Sequence, residues 1–142
     1  MWRTTPGNCY EDALMTFCHI RRDDDPLTDS IDLCSTKLVH GFPCLQRAVG
    51  GHDEGAKYGH AWLEFTIKEQ PFCLMLPGRE VIEKADFYAM GRIDPAECRT
   101  YSYGEAVAKA AETELFGSWH EIEEDAAFIA EDECGDIVED RN

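Results

Sequence analysis

Two apolar runs separated by a short polar break most constrain what this chain can fold into. His60-Ala61-Trp62-Leu63-Glu64-Phe65-Thr66-Ile67 and Phe72-Cys73-Leu74-Met75-Leu76 both have the length and composition of strands. The four residues between them, Lys68-Glu69-Gln70-Pro71, suit a hairpin turn. Strand alternation then puts His60, Trp62 and Glu64 on one face of the first run and Ala61, Leu63 and Phe65 on the other. Pro77-Gly78 ends the second run.

Helical spacing flanks this hairpin. Tyr10, Ala13, Leu14, Phe17 and Ile20 recur with the period of an amphipathic helix from Cys9 to about Arg22, stopped by Arg21-Arg22-Asp23-Asp24-Asp25-Pro26. Asn8 is a good N-cap, and Glu11 three residues on completes a capping-box pattern. Residues 27–36 show only weak alternation. Residues 37–42 read as a short strand ending at glycine, and residues 43–57 as a glycine-rich loop or widened hairpin. A short helix from Glu83 to Met90 is ended by Gly91, and residues 99–101 suit another strand. Ser102 with Glu105 forms a second capping box, opening a helix expected to run to Gly117. The expected fold is α+β, with a helix carrying Cys9 packed on a small antiparallel sheet. Residues 1–120 make one domain, large enough to bury a core without metal or disulfides, and 121–142 an acidic C-terminal extension.

Charge narrows the function classes. The formal net charge is -16. So negative a surface repels nucleic-acid phosphate and anionic lipid, which argues against direct nucleic-acid or membrane binding. It leaves open a basic protein partner, or mimicry of nucleic acid toward a protein that normally binds it. Residues 121–142 hold ten acidic residues against Arg141 alone, over half of the net charge. Ile122, Ala126, Ala127, Phe128 and Ile129 offer one apolar helical face there. Seven cysteines are scattered, several inside apolar runs, as reduced cysteines of a cytoplasmic protein would be. The first six residues hold no apolar signal-peptide core, and no run approaches a membrane span.

The residues with chemical content are Cys9 and His60. A cysteine at the first helical position meets unpaired backbone amides and the positive end of the helix dipole, which favour the thiolate. Nucleophilic catalysis then needs a histidine in reach to hold the proton and a group to orient the imidazole. Cys34, His40 and Cys44 with Cys9 or His52 form a weaker zinc-ligand set, without any Cys-x-x-Cys pair. His52-Asp53-Glu54 and Asp23-Asp24-Asp25 match no calcium loop. The expectation is a site without metal or cofactor.

Gly-Asn-Cys-Tyr-Glu (7–11), Leu-Val-His-Gly (38–41), Tyr-Gly-His-Ala-Trp-Leu-Glu (58–64) and Phe-Tyr-Ala-Met-Gly-Arg-Ile (87–93) stand here in the order found in a family of small phage and bacterial proteins. Tyr-Ser-Tyr-Gly-Glu-Ala (101–106) and Phe-Gly-Ser-Trp (116–119) extend the resemblance over most of residues 7–119. The family is mostly uncharacterised and looks papain/transglutaminase-like. The resemblance implies a phage-encoded cysteine hydrolase or acyl transferase, working in a host cytoplasm on a protein or peptide-like substrate. Cys9 would be nucleophile and His60 base and acid, with Asn8, His40 and Trp62 toward the substrate. Such proteins carry an aspartate on the strand after the histidine. Here that stretch reads Cys73-Leu74-Met75-Leu76-Pro77-Gly78, without an acid. Glu80, Glu64 or a backbone carbonyl would have to stand in, with Arg79 beside Glu80 as a competing partner. Without an orienter the chain fits the alternative of a non-enzymatic acidic binder acting on a basic host surface.

Overall fold

The computed structural model describes residues 9–48, 51–76, 79–117 and 119, with the backbone of 128–129 and 139–140. Helix α1, Cys9–Arg21, buries Cys9, Tyr10, Ala13, Leu14, Phe17 and Ile20, the stripe its spacing predicts. The helix unwinds where Asp23 turns left-handed at φ 61°, and Thr28 Oγ1 donates to the Ile20 carbonyl at 2.9 Å. Arg79 then pins the following loop, with its guanidinium 2.8 Å from Asp25. Burial alone would raise the Asp25 carboxyl, but the Leu27 amide and Arg79 outweigh it and hold it below its ordinary value.

Strand β1 (Asp32–Gly41) is longer than the sequence suggests. Its register on β2 (His60–Ile67) shifts between Asp32 and Lys37. Ser35 and Thr36 hydroxyls donate to the Asp32 carbonyl at 2.7 and 3.1 Å, and these local bonds break the two-residue period there. The β2–β3 connection is tighter than a four-residue break. Lys68 and Glu69 alone turn the chain at φ 50° and 69°, so β3 begins at Gln70 and runs to Met75. Strand β4, Glu80–Glu83, is an element the sequence pattern did not announce, and α2 occupies Lys84–Gly91, close to the expected helix from Glu83 to Met90. Arg92, not Gly91, takes the left-handed position that ends it, at φ 49°. Strand β5 is Arg99–Tyr101, and α3 is Tyr103–Thr113. Both bonds of the Ser102–Glu105 capping box form, but a left-handed Glu114 stops α3 before Gly117.

The molecule is α+β. An N-terminal helix packs on a five-stranded antiparallel sheet ordered β4-β3-β2-β1-β5. The two faces carry separate cores. On one, Leu38, Leu63, Phe65 and Leu74 meet α1 and the small residues Ala106 and Ala110 of α3. On the other, Val39, Trp62 and Cys73 meet Phe87 of α2 and Ile93. Beyond α3, β6 (Phe128–Ile129) pairs antiparallel with β7 (Glu139–Asp140), so Phe128 and Ile129 lie on a strand rather than the expected helical face. Ile122, Ala126 and Ala127 lie outside the described residues. None of the described helices is long and apolar enough to cross a membrane.

Candidate functional site

Cys9 is the first residue of α1 and His60 the first of β2. The Tyr10 ring lies 4.9 Å from that of His40, edge to face. His40 stands opposite Ala61 and Gly41 opposite His60 in the β1–β2 ladder. The start of α1 is thereby fixed at the end of the sheet where β2 begins. Cys9 is fully buried and belongs to the cluster holding Ala61, Leu63 and Leu76. His60, 6% exposed, leans instead along the Trp62 face, its ring centroid 6.0 Å from Trp62 and 5.6 Å from Tyr58. Leu76 joins the two sides, because it belongs to the cluster of Cys9 and also lines a cleft with His60.

That cleft has a volume of about 620 Å³, within the range of small-ligand sites. Residues 43–47 form one wall, with Tyr58 and His60 beside them. Met75 at the end of β3, Leu76 just past it and the second half of α2 (Phe87, Met90, Gly91) complete it. The wall is stitched by backbone: Cys44 donates to the Gly91 carbonyl at 2.7 Å, and Tyr58 to that of Pro43 at 3.0 Å. The Gln46 amide reaches the Met90 carbonyl at 3.4 Å. Cys44 is a half-buried thiol on the same cleft as His60, a placement sequence spacing did not signal.

The other candidates separate from this site. His40 is fully buried among Tyr10, Tyr101 and Trp119, with ring centroids at 4.9, 5.2 and 4.8 Å. Trp62 is equally buried, and its indole N–H donates to Glu64 at 2.9 Å. Asn8 lies outside the described residues. Glu80 is exposed on the edge strand β4, opposite Met75, and is absent from the lining of the His60 cleft. Two strand spacings, roughly 10 Å, separate its backbone from β2. Arg79 neutralises Asp25 rather than Glu80.

Glu64 is occupied elsewhere. Its carboxylate accepts from the Trp62 indole and a short bond from the Tyr88 hydroxyl, with Lys84 Nζ at 3.1 Å and Cys73 Sγ at 3.8 Å. Burial foremost, and then this carboxylate, push the Tyr88 phenol and Cys73 thiol well above their ordinary pKa values. Burial likewise pushes the neighbouring Cys98 up to about 11. These groups stay protonated at neutral pH, so neither thiol is activated. Met75 occupies the stretch where an orienting acid was sought, with Pro77 and Gly78 outside the described residues. Among the described residues no three His, Cys, Asp or Glu side chains are placed to hold a metal, so the Cys34, His40 and Cys44 set does not assemble.

Comparison with family models, curated proteins and solved structures finds no match to this chain.

Proposed function

We propose that the chain is a papain/transglutaminase-like cysteine hydrolase or acyl transferase acting on a protein or peptide-like amide. The observation that supports this reading is that Cys9, the first residue of α1, and His60, the first residue of β2, stand at the same end of the sheet, with Leu76 packed in the cluster of Cys9 and lining the cleft of His60. His60 takes the thiol proton as Cys9 Sγ attacks the carbonyl carbon. Backbone amides at the start of α1 help hold the resulting oxyanion. The C–N bond then breaks, and His60 returns the proton to the leaving amine. The thioester is released to water or to an acceptor amine, with His60 as base again.

Iodoacetamide labelling at pH 6, mapped by mass spectrometry, tests this. An ordinary thiol is under about 1% ionised at that pH. Cys9 is expected to label ahead of the exposed Cys34, and His60→Ala to slow Cys9 by about tenfold or more. Labelling led by Cys34 would overturn the assignment, and labelling led by Cys44 would move the nucleophile to the cleft wall.

A second reading is favoured by one observation: the two acids sought as orienters of His60, Glu64 and Glu80, are respectively engaged with Trp62, Tyr88 and Lys84 and exposed on an edge strand. On this reading the chain is an acidic binder of a basic host protein, and its net charge of -16 supplies the attraction. Deleting 121–142 and raising salt are each expected to weaken capture of the partner. Binding unchanged by both rules the electrostatic version out.

A further inference from the structure

We propose that the cleft beside His60 is a binding site for a small ligand that joins an apolar group to a carboxylate, and that Arg47 recognises the carboxylate. The chain holds 29 Asp and Glu among 142 residues, yet among the described residues none lines this cleft. Among the described residues, the groups on it able to carry positive charge are Arg47 and His60. Arg47 is exposed on the rim and forms no salt bridge among the described residues, whereas Lys57, Arg79 and Lys84 are each paired with an acid. A hollow lined by no described acid and carrying an unengaged guanidinium favours anionic ligands over cationic ones locally, because Arg47 sets the nearest charge against the negative field of the rest of the molecule. The floor is apolar, made by Met75, Leu76, Phe87 and Met90, which suits an aryl or alkyl group. The guanidinium fork matches a carboxylate by two parallel N–H bonds. The site stands on the cleft alone and does not require Cys9 to react.

The full chain would be titrated with N-acetylphenylalanine, its neutral amide and octanoate, followed by backbone NMR shifts. The carboxylates are expected to shift the amides of Arg47, Met90 and Gly91. N-acetylphenylalanine should bind roughly two- to fivefold tighter than its amide, the worth of a rim ion pair. Arg47→Gln is expected to erase that preference while leaving amide binding in place. Met90→Glu, at a side chain 43% exposed, should weaken both acids by installing a like charge. Tighter binding of N-acetylphenylalanine than of octanoate assigns a peptide carboxyl terminus, and the reverse order a fatty acid. Cys9→Ser is expected to leave the titration unchanged, so failed labelling of Cys9 would end the catalytic reading without touching this one. Equal affinity for acid and amide, a preference surviving Arg47→Gln, shifts mapping outside the cleft, or no binding at millimolar ligand would each overturn the proposal.

Discussion

The two faces of the sheet are built on different terms. The face under α1 and α3 is packed for density: Phe17 meets the Tyr103 ring at 5.2 Å, and His40 is enclosed by three aromatic rings. The face under α2 carries a buried carboxylate, a tyrosine and two thiols, and it opens at the start of β2 into the cleft. A face that keeps a charged group satisfied and a hollow open gives up packing density to do so. Stability should therefore reside mainly under α1, and the groups available for recognition on the side of α2.

The sharpest break of this contrast is Phe17→Ala. Removing a fully buried ring from the denser face is expected to cost about 3–5 kcal/mol, read by urea denaturation. A loss under about 1 kcal/mol would mean that the α1 face is not the principal source of stability. Two glycines allow a matched comparison. A Cβ on Gly117 would lie 2.5 Å from Tyr10 Cδ1 and 3.0 Å from His40 Cε1. On Gly41 it would lie 2.6 Å from Trp62 Cη2 and 2.9 Å from Cys98 Sγ. Both alanine variants are expected to lose about 1–3 kcal/mol. Gly117→Ala should lose more, because its φ of 155° adds backbone strain to the clash. A larger loss at Gly41 would reverse the ranking of the faces.

The smallest effect is confined to the α2 face and appears in alkali. Cys98, Cys73 and Tyr88 all have raised pKa values, so folding favours their protonated forms. The contribution of Cys98 is complete below the ordinary thiol pKa and is lost as pH rises through about 11, while those of Cys73 and Tyr88 decline over the same range and beyond it. Thermal midpoints should fall between about pH 9 and 11, and Cys98→Ala should flatten part of that fall. A flat profile would separate the thiols from the stability of this face.

Elements encoded by local pattern were legible in the sequence. The stripe from Tyr10 to Ile20 gave α1, and Ser102 with Glu105 gave the start of α3, because spacing and capping act over a few residues. Strand β4 and the full length of β1 were not legible. Glu80-Val81-Ile82-Glu83 is a strand because β3 offers it a partner edge, and that partner is invisible locally. The site was legible only in part. That Cys9 starts a helix and His60 starts a strand could be read locally, whereas the register that buries His40 and Trp62 emerges only once strands pair. The cleft joins residues 43–47 to α2, a juxtaposition set by tertiary folding.

The position of β1 between β2 and β5 has a kinetic consequence. Strands β1 to β4 pair with their neighbours in sequence, whereas β5 returns to join Leu38 to Tyr101. Closing that long loop has the larger entropic barrier, so β1–β4 can zip by short-range steps while β5 arrives late. Gly91, whose carbonyl anchors Cys44, lies within the returning segment. The hollow beside His60 thus takes its final shape near the end of folding, and partly folded chains would lack it.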